Sequence, residues 1–260
     1  MKKLIALALT LLLSPAIASA QLAPDKAREA VTKVENAVVS VRAIVSVSTS
    51  MDGREMNQDE EENESCGVVI NASGLTVASL GNVDPTSIYD HMMSGMGTGE
   101  MDFQVKAEIK DLKLKFADGK EVSAEVVLRD NTRDLAFIKP KTPLEGPVSF
   151  INLEDSTDAE LLDPVIVVAR MGKMANWITY ARNDQVVGVN TRPRRMYMLT
   201  FFESLSSVEN NGALVLGPAG KLLGIQLNRK VQGATAEDSD FHLVVLPARE
   251  IATVAKQVPN

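Results

Sequence analysis

Phe201 to Asn228 reads FFESLSSVENNGALVLGPAGKLLGIQLN, and its second half specifies a β-hairpin. Ala213, Leu214, Val215 and Leu216 form a short apolar run, Gly217-Pro218-Ala219-Gly220 supplies a turn, and Leu222 to Leu227 make the return strand. Taken alone, this stretch says buried hairpin and nothing about chemistry.

Working outward, the same grammar recurs. Cys66 to Ile70 and Gly74 to Ser79 form a pair of strands around Asn71-Ala72-Ser73-Gly74. Leu112-Lys113-Leu114-Lys115-Phe116 alternates apolar and polar, and Asp118-Gly119 turns the chain into Val122 to Leu128. Val38 to Val47 is a β-branched strand. Asp163 to Ala169 is another strand, Trp177 to Ala181 and Gln185 to Asn190 fit a hairpin closed by Arg182-Asn183-Asp184, and Phe241 to Val245 is a last strand. Ser149 to Leu153 reads as the strand that opens the second half, and Thr142 to Gly146 as the linker before it. Helical spacing is confined to the ends, at Ala27, Ala30, Val31 and Val34 after Pro24, and at Ile251, Val254 and Val258 after Pro247.

Three of these regions resemble the HtrA/Deg family of chymotrypsin-like serine proteases. The opening stretch is similar to the family's Gly-Asn-Ser-Gly-Gly-Pro segment and the strand, turn and Gly-Ile-Asn strand that follow it. The nucleophile then falls on Asn210 and the Gly two residues earlier on Val208, while the next two glycines fall on Asn211 and Gly212. The Cys66–Asp84 region resembles the hairpin that carries the catalytic histidine, which falls on Gly81. Asp130 to Lys139 resembles the family's Asp-x-x-x-Asp-Leu-Ala-Val-Leu-Lys signature, whose second Asp is Asp134. Where the family carries a Gly-Asn-Pro loop, this chain has Arg170-Met171-Gly172-Lys173-Met174.

The resemblance implies an all-β fold of two six-stranded β-barrels with short N- and C-terminal helices. Barrel 1 is expected over about residues 36–141 and barrel 2 over about 147–260, with no PDZ-like domain after them. It also implies a degenerate catalytic site. A serine protease needs an activated nucleophile, a base and backbone donors for the oxyanion. Asn210 is no such nucleophile, Gly81 has no side chain to take a proton, and Val208 lacks the backbone freedom of the glycine it replaces. Asp134, the one triad member retained, is expected to be structural. The alternative is an active endopeptidase using Ser204, Ser206 or Ser207 with a base from His91 or His242, the only two histidines.

Residues 1–20 read as a signal peptide, with Lys2 and Lys3 ahead of the apolar run Leu4–Leu13 and Ala18-Ser19-Ala20 at the cleavage site. The apolar run is too short for a membrane span, and no Cys follows it to carry a lipid anchor. Export to the periplasm or medium is therefore expected, without a membrane anchor. The chain carries a net charge of −7, made more negative by losing both lysines, and has no basic stripe, which argues against nucleic acid. Cys66 is the sole cysteine, so no intrachain disulfide is possible. With aromatics at 4%, Val, Leu and Ile must fill the core.

The remaining candidates are a partner surface and two loops. Tyr197, Phe201 and Phe202 place three of the few aromatics together, and an exposed edge strand over Met196–Phe202 is expected to bind a peptide or protein partner. Simple filling of the second barrel is the competing explanation. His91, Met92, Met93 and Met96 form a Met-rich stretch whose soft ligands suit Cu(I), but a surface loop is the default and no cofactor is expected. Asp59, Glu60, Glu61, Glu62 and Glu64 read as an open, self-repelling loop over Gly53–Ser65, lacking the spacing of a calcium loop. Arg192, Arg194 and Arg195 read as a solvated turn, with contact to an acidic partner as the alternative. The sequence sets no oligomeric state.

Overall fold

The computed structural model describes residues 23–52, 54–86, 89, 103–200, 211–230 and 241–259, without the side chains of Phe103, Met174, Arg229, Lys230, Phe241 and His242. The signal segment, His91, Met92, Met93, Met96, Phe201, Phe202, Ser204, Ser206, Ser207, Val208 and Asn210 lie outside the described residues. Helix α1 (Pro24–Val34) leads into β1 (Val38–Met51), β2 (Arg54–Val69) and β3 (Thr76–Ser79). After α2 (Leu80–Val83) come β4 (Phe103–Lys115), β5 (Glu121–Asp130) and β6 (Leu135–Pro140). These six strands close into a barrel in the order β1-β2-β3-β6-β5-β4. The second barrel uses β7 (Pro164–Arg170), β8 (Thr179–Asn190), β9 (Met196–Leu199), β10 (Leu214–Leu216), β11 (Leu222–Lys230) and β12 (Phe241–Pro247) in the order β10-β11-β12-β9-β8-β7. Helix α3 (Ala248–Ala255) ends the described fold. All the pairings are antiparallel, apart from one isolated parallel bridge between Ser156 and Leu222.

Side-chain alternation explains why some strands are apolar at every position. Val39, Val41, Ala78, Ala136 and Ile138 fill the first barrel. Their neighbours Val38, Val77, Leu135 and Phe137 point the other way, into the core that the second barrel shares with this seam. Strands buried on both faces read as continuous apolar runs, as Leu135-Ala136-Phe137-Ile138 does. The turns follow their chemistry. The Asn71 side chain accepts from the N–H groups of Ser73 and Leu75, and Gly74 takes φ +84° to complete that turn.

Three expectations are corrected. The acidic run is no loop: Arg54 to Val69 is one strand, paired with β1 along its length from Arg54 to Val68. A central β-branched partner, β1, holds it in register, and its charges remain in solvent on a ribbon that leaves the barrel. Arg182-Asn183-Asp184 makes no turn either, because those residues pair with Val167, Ile166 and Val165 within β8. Buried Asp184 accepts from the N–H groups of Gln185 and Thr200 and meets Arg182 at 3.2 Å, which satisfies the polar residues inside a strand. Ser149–Leu153 forms no strand; Ile151 and Leu153 are buried against the seam, the Ile151 N–H donating to the Val69 carbonyl.

Candidate functional site at the seam of the two barrels

Gly81 sits in α2, directly after β3, and Asp134 sits in the turn entering β6. Pairing of Ser79 with Leu135 brings the two together. The Asp134 carboxylate accepts from Ser79 Oγ at 2.5 Å and from the Gly81 N–H at 2.7 Å, and also from the backbone N–H of Asn228 on β11. Its own carbonyl accepts from the Leu80 N–H at 3.0 Å. Asp134 takes φ +56°, a left-handed conformation that Asp tolerates better than most residues. Burial dominates its ionisation and pushes the pKa up to about 7; the Ser79, Gly81, Asn228 and Leu80 donors oppose that shift without overcoming it. Among the described residues, no cation neutralises this carboxylate.

Asn211 and Gly212 follow the nucleophile-equivalent position and lock the second barrel to the first. The Asn211 carbonyl accepts from the Cys66 N–H at 3.1 Å, and its Nδ2 donates to Asn82 Oδ1 at 3.1 Å. Gly212 has φ +86°, and a Cβ there would stand 1.9 Å from the Cys66 carbonyl oxygen. Only glycine fits. The order β3–α2, Asp134, then the Asn211-Gly212 turn and the β10–β11 hairpin is the architecture of a trypsin-like active-site seam. The chain has a trypsin-like fold and is similar to HtrA-like serine proteases.

The comparisons agree. An HtrA-like serine protease of Staphylococcus aureus (strain MRSA252) is 24% identical over 244 residues, covering 89% of this chain. One from Staphylococcus epidermidis (strain ATCC 12228) is 22% identical over 243 residues, covering 90%. The chain spans only 28% and 38% of the length of these two relatives. Among solved structures, the protease domain of MamO from Magnetospirillum magneticum, in its apo form, matches with a TM-score of 0.51 at 15% identity. That match covers 85% of this chain and 97% of the MamO domain. No family model matches the chain.

In this HtrA-like chain the loop that replaces Gly-Asn-Pro is a clasp across the seam. Arg170 is buried and gives its guanidinium to three carbonyls: Nε to Val38 at 2.8 Å, Nη1 to Trp177 at 2.9 Å and Nη2 to Glu35 at 3.1 Å. Glu64 on β2 accepts from the Trp177 indole N–H at 2.6 Å, from Ser40 Oγ at 2.8 Å and from the Lys173 N–H at 3.0 Å. Burial raises the Glu64 pKa, but these donors and Arg42 outweigh it and leave the carboxyl below its ordinary value. Lys115 stacks 3.4 Å above the Trp177 ring. Glu64, Arg170 and Trp177 escaped the sequence reading as site residues because the bonds that cross the seam, from Glu64 to Trp177 and Lys173 and from Arg170 to Val38 and Glu35, span over a hundred positions along the chain. Ser79, Asn82 and Asn228 were legible only as polar residues flanking the motif positions.

Tyr197 is corrected from a groove residue to a core residue. It is fully buried, donates its hydroxyl to Asp158 at 2.9 Å and accepts from Arg195 at 3.0 Å. Strand β9 is no open edge, since β8 pairs on one side and β12 on the other to close the barrel. The open edge lies on β11. One side of β11 pairs with β12 from Gly224 to Lys230, whereas the β10 side covers only its first half, ending at Gln226, whose N–H donates to the Ala213 carbonyl and whose carbonyl accepts from the Gly212 N–H at 2.7 Å. Beyond Gln226, among the described residues, that second edge meets no strand, and the Asn228 N–H turns to Asp134.

Proposed function

We propose that this protein is exported, has lost the peptidase chemistry of its fold, and binds an extended segment of a polypeptide partner along the seam between its barrels. One observation carries the reading: the Asp134 carboxylate is engaged by Ser79 Oγ and by the backbone N–H of Gly81, the residue at the histidine position. Without an imidazole there, neither the general base nor its orientation by a carboxylate exists. A carboxyl group with a pKa of about 7 and, among the described residues, no cation beside it is a structural acceptor that joins β3, β6 and β11.

The edge of β11 beyond Gln226, which pairs with no strand among the described residues although its Asn228 N–H is taken by Asp134, supports binding. Pairing to such an edge needs no triad, and an extended polypeptide satisfies its donors and acceptors. The signal-like segment at residues 1–20 supports export, and no helix among the described residues is long and apolar enough to cross a membrane. The acidic surface supports a protein or peptide partner over nucleic acid.

The test is labelling of the purified chain with a fluorophosphonate probe alongside digestion of unfolded casein. We expect neither labelling nor cleavage. Stoichiometric labelling at Ser204, Ser206 or Ser207 overturns the reading in favour of an active endopeptidase. Restoring Gly81→His with Asn210→Ser is expected to give little activity while Val208 and Asn211 remain in the oxyanion loop, since preorganised donors supply a large part of catalysis.

A further inference from the structure

The ribbon formed by β2, β1 and β4 carries a second surface, away from the seam. β1 lies in the middle, paired with β2 down to Met51–Arg54 and with β4 down to Met51–Phe103. β3 takes only Gly67, Val68 and Val69 of β2, and the seam takes Glu64 and Cys66. From Arg54 to Asn63 the outer edge of β2 therefore has no strand partner among the described residues. Arg54 to Glu62 are exposed at every position, so neither face of that stretch is covered.

A long open edge invites pairing with another chain, and proteins usually break it with a bulge, a proline or lysines. Here Glu55, Asp59, Glu60, Glu61 and Glu62 stand along it instead. Among the described residues only Glu62 forms an ion pair, with Arg42 at 3.6 Å, while Glu61 accepts from the Tyr89 hydroxyl and Asp59 from Asn57. Two identical copies of this edge repel one another, so the charge excludes edge-to-edge dimers but leaves the backbone donors and acceptors available.

We propose that the β2 edge over Arg54–Asn63 docks a lysine- or arginine-rich extended segment of a partner protein as an added strand. The pattern of acids narrows the partner further. Side chains alternate faces along a strand, so four consecutive acids, Asp59 to Glu62, put two carboxylates on each face. A partner strand with a block of consecutive basic residues finds opposite charge on both faces. One with basic residues at alternate positions finds it on one face only. Backbone pairing supplies the docking and the charges select the sequence.

The test is fluorescence anisotropy of the full chain with a labelled VTKKKKTV peptide at low ionic strength. The isomer VKTKTKVK serves as the alternating control, and VTKKKKTV methylated on alternate backbone nitrogens as the control lacking strand donors. We expect the block peptide to bind several-fold tighter than the alternating one, and Asp59→Lys with Glu60→Lys to weaken it about tenfold. Both substituted positions are exposed, and circular dichroism checks that the variant folds. Equal binding by the methylated peptide overturns strand addition and leaves surface electrostatics alone. Affinity unchanged by the double substitution, or no binding even at low salt, overturns the site. Self-association of the unmixed chain that the same substitutions abolish reassigns the edge to a second copy.

Discussion

Asp134 and Asp158 are two carboxylates at element junctions of neighbouring barrels, and their ionisation moves in opposite directions. Burial drives the Asp134 pKa up to about 7, and among the described residues the groups that bond it are neutral donors. Burial also raises Asp158, but Arg249, the Tyr197 hydroxyl and Arg195 outweigh it and leave the carboxyl below its ordinary value. Arg249 grips Asp158 with two bonds, at 2.6 and 2.8 Å, in the forked geometry that guanidinium favours. The lesson concerns compensation. Neutral donors offset part of the cost of burying the Asp134 charge, whereas at Asp158 the cations, together with the Tyr197 hydroxyl, more than offset it.

The comparison breaks most visibly at Asp134. A folded-state pKa raised above the unfolded value means that the native state holds the proton more tightly. The group's contribution therefore falls as pH rises from about 4 to about 7, and above that the ionised form is a constant burden. Urea unfolding of wild type and Asp134→Asn at pH 4, 6 and 8 reads it directly. The variant should gain on wild type towards pH 8, by on the order of 4 kcal/mol across the window. A difference that does not vary with pH would mean that water or a cation reaches Asp134.

Packing across the seam gives an effect of similar size without the pH dependence. Phe137 is fully buried where the outward face of β6 meets the second barrel. Phe137→Ala should cost about 3–5 kcal/mol at pH 4 and at pH 8 alike. If that cost varied with pH as Asp134 does, the seam itself would be ionisation-linked.

The smallest expected effect sharpens the other half of the comparison. The Asp158 side chain is 44% exposed, so screening discounts its ion pairs. Its depressed pKa contributes stability that is present above the ordinary Asp value and lost as pH falls through the lower folded value. Asp158→Asn should cost about 1 kcal/mol at neutral pH, and raising the salt concentration should shrink that cost. A loss as large as at Phe137 would show that Tyr197, which keeps its hydroxyl on Asp158, transmits the change into the core.

The two carboxylates also mark what a sequence makes legible. Asp134 stood out because a local pattern, Asp130 to Lys139, fixes both the strand and the residue before it. Most of the strands, the Asn71 and Asp118 turns and the terminal helices were legible for the same reason, since period and turn chemistry are local. Asp158 gave no signal, because Arg249 and Tyr197 reach it from other elements. Arg182-Asn183-Asp184 misled because three polar residues read as a turn until buried partners satisfy them. The acidic run misled through its charge, although its neighbour β1 has enough β-branched residues to hold it extended. Tyr197 was legible as an aromatic on a strand, but which face it took depended on closure of the barrel, which no stretch of sequence encodes by itself.

Gly212 bears on how the barrels assemble as well as on local packing. A side chain there collides with the Cys66 backbone, which no rotamer change relieves, so the requirement for glycine comes from how the barrels meet. It holds whether or not a reaction ever takes place beside it. The glycine therefore reports how the two barrels are joined, and it carries no information about activity in either direction.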